Sequence, residues 1–385
     1  MYLSKIELAN YRNYSKLKVK LDPNINIFIG NNAQGKTNIL ESIYVLALTK
    51  SHRYGVENNL IRKEMLACRI KGTIKEEKKI KDLQFILTNK SEKKVMVNDK
   101  EVKKISDYIF NMKVIMFCPD DLEMIKGSPA FRRNFMNIEI SQLFQFYAQY
   151  LNEYNKILKN RNEYLKLLNM NQYTDLRYLE ILNDKLVEKA VFVYACRKRY
   201  MDFIGAIVGD IYERISGLSG LTVRYENNID LVSYDEDEIR TKFMEKLTKN
   251  QKREMLQGTT LYGPHRDDFT FFLVDDDLKV YGSEGQKRLA IIAFKLAEVQ
   301  VFYQILNTTP ILLLDDIFSE LDVKKRNRLI ACLPSDIQII ITTTDLKNIN
   351  RKLVEKAKVF VVDQGKITEK VGDNNGNGRK GRRNI

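Results

Sequence analysis

Residues 30 to 37 read Gly-Asn-Asn-Ala-Gln-Gly-Lys-Thr, a complete G-x-x-x-x-G-K-[ST] phosphate-binding loop. The apolar run Ile25 to Ile29 before it predicts a buried strand, and from Asn38 to Leu46 apolar residues recur at helical spacing. Strand, glycine loop and helix in immediate succession constrain the fold sharply. The first amides of the helix must point at whatever the loop holds. In that setting the backbone N–H groups of Gly30, Asn31, Asn32, Ala33, Gln34 and Gly35 cradle phosphate. Lys36 places a positive charge on the β and γ oxygens, and Thr37 offers its hydroxyl to Mg²⁺. The competing reading, a glycine turn matching by accident, does not account for the strand and helix that flank it.

A second run, Ile311-Leu312-Leu313-Leu314-Asp315-Asp316, predicts a buried strand ending in two carboxylates beside the loop after the first strand. Asp315 is the candidate Mg²⁺ ligand, and Asp316 the group that orients or deprotonates an attacking water. Strands often end in acidic residues, so the pairing with the phosphate loop gives this run its meaning. Compact GTPases and RecA-like motors hold both motifs in one small domain, whereas here a large insertion intervenes. Just before the second motif stands Gly282-Ser283-Glu284-Gly285-Gln286-Lys287-Arg288, and the apolar spacing from Leu289 to Val299 has it opening a helix. A serine hydroxyl, a glycine amide and a helix N-terminus make an anion site. The S-x-G-Q core, Ser283, Gly285 and Gln286, resembles the signature motif of the ATP-binding-cassette superfamily, although alone it could be a plain N-cap. Ser319-Glu320-Leu321-Asp322 matches the S-x-L-D loop of that superfamily, placing Ser319 and Asp322 at a dimer interface.

These motifs predict an α/β fold, a P-loop ATPase of the ABC type (like the heads of SMC and Rad50 proteins) with an inserted, mainly helical lobe. Residues 1–125 and 301–385 are expected to form the ATPase lobe, with a disordered tail at 373–385. Residues 126–300 are expected to form the inserted lobe, ending in the signature motif. Leu3 to Leu8 and Tyr14 to Leu21 alternate as half-buried strands do, and short β-type runs fill residues 65–117, with a hairpin turn at Asn98-Asp99-Lys100. Apolar seams from Ser141 to Leu168 and from Leu179 to Ile204, joined by the polar link Asn169 to Thr174, predict two antiparallel helices. Each reaches about 40 Å; with fewer than five heptads, packing into an ordinary helical domain is favoured over a projecting coiled coil, with Arg161 and Arg197 standing in the seams. Strands are expected at Asp268 to Val274 and Leu278 to Val280, a helix from Lys324 to Leu333, and a last buried strand within Asp336 to Thr344.

No apolar run approaches the roughly 18 residues of a bilayer span, and the N-terminus carries no signal-peptide pattern. A cytoplasmic protein without a membrane partner is therefore expected. Cys68, Cys118, Cys196 and Cys332 are too scattered for a disulfide framework or a thiolate zinc site. Two histidines exclude a multi-histidine centre, which leaves Mg²⁺ on oxygen ligands. The net charge of +14 is spread over the body and suits a polyanion such as nucleic acid, while a lysine-rich solvated surface explains it equally.

Together the residues resemble the RecF family of bacterial recombination-repair ATPases. The resemblance runs from Tyr11-Arg12-Asn13-Tyr14 through Gly30 to Glu41, Lys50-Ser51-His52-Arg53, Pro119-Asp120-Asp121-Leu122, Lys126-Gly127-Ser128-Pro129 and Arg132-Arg133. It continues through Gly263-Pro264-His265-Arg266-Asp267-Asp268 and Ser283 to Arg288, and ends with Leu313 to Asp322. It implies a weak, DNA-dependent ATPase that forms an ATP-dependent homodimer on single-stranded, duplex or gapped DNA. It further implies work with RecR and RecO, loading of RecA at gaps, and a part in SOS induction. Arg12 and Asn13 would then lie near the nucleotide, and Pro119 to Leu122 about where a Q-loop stands. Two departures from the wider superfamily are consistent with slow hydrolysis: aspartate at 316 in place of glutamate, and Thr343 or Thr344 where a switch histidine is expected. A transporter subunit would be shorter and would carry glutamate and histidine at the two departing positions, and both are absent here. A nuclease-coupled ATPase would need an appended domain, and a decayed DNA-binding protein would not retain Lys36, Thr37 and Asp315.

Overall fold

The computed structural model describes residues 1–53, 57–76, 79–170, 175–370 and 382–384. The chain divides into two compact units, one of Met1–Asp121, Arg214–Ser216 and Glu298–Ile385, the other of Leu122–Glu213 and Gly217–Ala297.

The first unit holds two sheets. One is antiparallel: β1 (Tyr2–Tyr11), β2 (Tyr14–Lys20), β4 (Ala67–Glu76), β5 (Lys79–Thr88), β6 (Lys93–Val97) and β7 (Lys100–Glu101), in the order β2-β1-β4-β5-β6-β7. Its strands alternate as predicted, burying Ile6, Leu8, Ile70, Ile74, Leu83 and Phe85 on one face. Asn98 (φ 50°) and Asp99 (φ 60°) make the expected hairpin turn, both in the left-handed region that such turns require.

The other sheet runs β16-β15-β14-β3-β13-β12-β8, with β3 (Ile25–Ile29), β8 (Val114–Phe117), β12 (Ile311–Asp315), β13 (Ile339–Thr343), β14 (Lys358–Asp363), β15 (Lys366–Lys370) and β16 (Arg382–Asn384). From β14 to β8 the strands are parallel. Parallel strands are covered on both faces, so they read as continuous apolar runs, as Ile311 to Leu314 does. The two motif strands are not neighbours: β13 lies between β12 and β3. Nor is β13 the last strand, since β14 and β15 follow. Arg382–Asn384 pair with β15 as an edge strand, within the tail expected to be disordered. The rest of that tail, save Asp373 to Gly381 and Ile385, which lie outside the described residues, is this strand. The helix Lys36–Leu48 contacts both sheets, which is why it is buried almost all round.

In the second unit, helices Pro129–Leu143, Tyr147–Asn169, Leu176–Ser216, Glu236–Lys249 and Gln251–Gln257 accompany a small sheet of β9 (Leu221–Glu226), β10 (Asp268–Leu273) and β11 (Asp276–Asp277). The first predicted seam is broken at residues 144–146, where Phe144 takes an extended conformation. The second helix runs 41 residues, about 60 Å at its rise per residue, longer than expected. Its buried stripe continues past Ile204 through Val208, Ile211 and Ile215 to the left-handed cap Gly217. The seams pack into a helical core with Ile229, Ile239 and Phe243. Part of the link between them, residues 171–174, lies outside the described residues. Leu278–Tyr281 is a helical turn and not the expected strand, because the Asp277 carboxylate accepts the Lys279 N–H at 2.7 Å and caps it.

The helix Glu284–Leu306 corrects another expectation: by length and composition it is apolar enough to cross a membrane. Yet 72% of that apolar stretch is buried inside the molecule, the environment of a core helix.

Candidate nucleotide site

β3 delivers the chain into the loop at Gly30, and the loop closes at Gly35, whose φ of 108° disfavours any other residue. A Cβ on Gly35 would also stand 2.4 Å from Asn13 Nδ2, and one on Gly30 2.3 Å from the Val362 carbonyl oxygen. Lys36 Nζ folds back onto the carbonyl oxygens of Gly30 and Asn31, at 2.7 and 2.8 Å. Burial lowers the pKa of its ammonium, against the pull of Asp316 and Asp315.

Thr37 Oγ1 donates to Asp315 Oδ1 at 3.0 Å, and Thr342 Oγ1 on β13 donates to the same oxygen at 2.6 Å. Burial raises the Asp315 carboxyl above its usual range, with the two hydroxyls acting in the opposite direction. Thr37 and Asp315 thus converge as hard oxygen donors, the set that suits Mg²⁺ beside phosphate. Asp316 follows in the left-handed region at φ 52°, which a short carboxylate side chain tolerates better than most. Ser319 Oγ bonds the Asp316 carbonyl oxygen at 2.7 Å, and Thr342 receives the Asp316 N–H. Asp316 Oδ1 is buried and has no hydrogen-bond partner among the described residues. Burial raises this carboxyl too, opposed by Ser319 and Lys36. Unsatisfied buried acceptors are rare because each forfeits its hydration. Here the free acceptor sits beside the phosphate loop.

The Arg12 guanidinium makes a bidentate pair with Glu41 at 2.9 and 2.6 Å. Tyr11 and Ser51 hydroxyls donate to the same carboxylate. Burial alone would raise the Glu41 carboxyl, but the Arg12 and Ser51 hydrogen bonds reverse that and hold it low. Arg12 therefore anchors the buried face of the loop's helix. Asn13 reaches the loop itself, its Nδ2 bonding the Gln34 carbonyl oxygen at 3.2 Å while its Oδ1 accepts from Asn38. Pro119–Leu122 forms a short turn directly after β8, with Asp121 accepting the Cys118 N–H at 2.8 Å.

In the second unit, Ser283 Oγ accepts the Gln286 N–H at 3.3 Å while Gln286 Oε1 accepts the Ser283 N–H at 2.8 Å. This reciprocal capping box realises the plain N-cap reading and leaves the serine hydroxyl hydrogen free to donate. Glu284 is tied to Lys126 at 2.7 Å. A Cβ on Gly285 would meet nothing within 4 Å, so packing inside this chain does not require glycine there. Asp322 caps the helix Val323–Ala331 by accepting the Lys325 N–H at 2.9 Å.

Residues 2–368 match the sequence pattern of the RecF/RecN/SMC N terminal domain. The chain is 38% identical over 374 residues to the DNA replication and repair protein RecF of Lactobacillus johnsonii, covering 96% of this chain and 100% of that relative. It is 39% identical over 370 residues to RecF of Oceanobacillus iheyensis, with 95% and 100% covered. The chain belongs to the RecF family. Its fold matches solved structures of the recombination mediator protein RecF in the RecFOR pathway. With ATPrS the TM-score is 0.87 at 29% identity, covering 96% of this chain and 98% of that one. With ATP it is 0.88 at 29% identity, with 96% and 97% covered. An Smc head bound to the C-winged helix domain of ScpA shares the fold at TM-score 0.52 and 14% identity. RecF proteins are ABC/SMC-type ATPases, and the architecture here is that head with its helical lobe.

Sequence reasoning missed four contributors to this candidate site. Thr342 was read only as part of a strand end. Glu41 was quoted in the loop motif without a role. Gln364 and Gly365, in the β14–β15 turn, present their N–H groups to Gln34 Oε1 and O at 2.6 and 3.3 Å. No local pattern marks that turn, because its partner lies at the other end of the chain.

Proposed function

We propose that this chain is an ATP-dependent DNA-binding protein of recombinational repair, in which ATP joins two copies and closes them on DNA. Each copy holds the triphosphate on Gly30 to Thr37. Ser283 and Gly285 of the other copy cap the γ-phosphate, with Gln286 keeping the serine in place and Ser319 and Asp322 lining the seam. The first unit serves as the ATPase lobe and the second as the lobe that presents the signature motif.

The observation that carries this reading is a contrast. Lys36, Thr37, Asp315 and Asp316 are gathered around one loop, while Ser283 and Gly285 are exposed and, among the described residues, make no hydrogen bond beyond their own turn. The capped turn still presents the serine hydroxyl hydrogen and the positive end of the helix to solvent, where an anion is favoured.

For hydrolysis, the unpaired Asp316 Oδ1 accepts a hydrogen from the attacking water. The water oxygen bonds to the γ-phosphorus, the bond to the β–γ bridging oxygen breaks, and ADP and phosphate are the products. Lys36 stabilises the charge on the transferred group. Thr37 and Asp315 would hold Mg²⁺, which when bound neutralises β and γ oxygen charge. Turnover is slow. Asp316 is a methylene shorter than glutamate, and Thr343 Oγ1 turns to the Asp345 carbonyl oxygen at 3.0 Å instead of toward a phosphate. Arg12 acts through Glu41 to brace the loop, and Asn13 contacts its backbone. That relatives are DNA replication and repair proteins, and that a RecF of this fold is a recombination mediator of the RecFOR pathway, supports the repair role; work with RecR and RecO, loading of RecA at gapped DNA, SOS induction and a cytoplasmic setting belong to the same proposal.

Gel filtration with and without ATP tests this. Wild type and Asp316→Asn should dimerise only with ATP, and the variant should stay dimeric longer; dimers indifferent to nucleotide would overturn it.

A further inference from the structure

Two motifs that the nucleotide site leaves without a role, Arg132-Arg133 and Gly263 to Asp268, pack against each other in the second unit. Arg132 makes a bidentate pair with Asp268 at 2.6 and 2.7 Å. Asp267 is held by Arg197 at 2.9 Å and by the Tyr225 hydroxyl at 2.5 Å. Both carboxylates of the motif are thereby matched by other cations. Arg133 donates one N–H to the Asp267 carbonyl oxygen at 2.9 Å and makes no ion pair among the described residues.

Beside Arg133 opens a recess of about 220 Å³, lined on its polar side by Arg133, Asn134, Asn137, Asn155, Arg197 and His265. No acidic residue lines it. Asp267 keeps one carboxylate oxygen unpaired, but that residue is not part of the lining. The amide of Asn137 has a fixed orientation. Its Oδ1 accepts from the Tyr147 hydroxyl at 2.7 Å and from Arg197 at 3.0 Å, so its Nδ2 remains an unused donor. His265 is equally fixed. Its Nε2 faces the Thr260 carbonyl oxygen at 3.1 Å and so carries the hydrogen, leaving Nδ1 to accept from the Tyr154 hydroxyl. The imidazole is neutral and engaged at both nitrogens. What remains for a ligand is one arginine fork without a carboxylate, the Asn137 amide, and the exposed amides of Asn134 and Asn155. Donors in excess with uncompensated positive charge select an oxyanion.

We propose that this recess binds a phosphate group, either a backbone phosphate of the nucleic acid or free phosphate. The first source rests on the DNA-binding reading above; the second does not. Two variants separate the site from its scaffold. Arg133→Gln removes the fork. Asn155→Asp adds a carboxylate at an exposed residue whose side chain makes no hydrogen bond among the described residues, and should leave the melting temperature unchanged.

One arm measures ³¹P line broadening of inorganic phosphate with the full chain saturated by ADP, so that the loop at residues 30–37 is filled. The other measures duplex DNA binding with ATP over a salt series. At least tenfold weaker phosphate binding in both variants is expected. If the source is a backbone phosphate, the slope of log affinity against log salt also falls by about one. Weaker phosphate binding with an unchanged slope assigns the site to free phosphate. Phosphate binding and salt slope that match wild type in both variants overturn the proposal, as does wild type that broadens no phosphate and shares the variants' slope. Wild type that binds no DNA while phosphate binding still depends on Arg133 overturns only the DNA reading.

Discussion

Thr37 Oγ1 and Asp315 Oδ1 meet at 3.0 Å although 278 positions separate the two residues in the chain. The fold brings them together because β3 and β12 run parallel with only β13 between them, so both strands end at the same edge of the sheet. β13 adds the Thr342 hydroxyl to the same carboxylate oxygen. The candidate metal site is thus assembled at the ends of three adjacent strands.

Thr342 orients Asp315 from behind. Thr342→Val, which keeps the shape and deletes the donor, should weaken Mg²⁺ binding about 10–100-fold, the usual effect of losing such a partner. Titrating Mg²⁺ against ATP hydrolysis measures it, and ADP affinity without metal should not change.

Asp316 supplies the unpaired acceptor. Asp316→Asn should slow hydrolysis about 10²–10⁴-fold, the range for a lost general base. ATP affinity in filter binding should remain within a few-fold of wild type. A variant that hydrolyses normally would show that the buried oxygen has no part in activating water.

Arg161 and Glu254 form a fully buried pair at 2.7 Å, completed by Asn183 and Thr260. Arg161→Met leaves the Glu254 charge alone in the core and should cost about 3–5 kcal/mol in urea unfolding. Adding Glu254→Gln should return part of that loss, because the stranded charge is gone. A double variant no more stable than Arg161→Met would place the cost in packing instead.

Burial lowers the pKa of both histidines, His52 and His265, to about 4. In the unfolded chain they titrate near 6.5. Between those values the unfolded state binds more protons, so stability rises with pH across the window and falls as pH drops from about 6.5 toward 4. His265→Gln should flatten part of this dependence, by about 1–3 kcal/mol between pH 7 and 4.5. Urea melts at three pH values check it; an unchanged slope would mean that His265 charges freely in the fold.

The phosphate loop and the Ile311 to Asp316 strand were legible because each carries its chemistry in consecutive residues. The antiparallel strands were legible because one face is buried and the apolar residues therefore alternate. The turn at Leu278 was misread as a strand, since its apolar pair fits either period and a single side-chain bond from Asp277 decides the matter. Gln364, Gly365 and Thr342 were not legible as site residues. Their roles come from sheet order, which brings the β14–β15 turn and the end of β13 to the loop after β3. Arg161 and Arg197 read as interruptions of an apolar seam, and their partners Glu254 and Asp267 lie far along the chain.

The central claim is that one copy cradles the triphosphate while another caps it, and mixing two inactive variants tests it most directly. Lys36→Ala keeps a sound Ser283, and Ser283→Arg keeps a sound phosphate loop. Each alone should neither hydrolyse ATP nor dimerise with it. Mixed in equal amounts they should form one complete composite site per pair, restoring ATP-dependent dimers and a substantial part of wild-type hydrolysis. A mixture as inactive as its components would contradict the account.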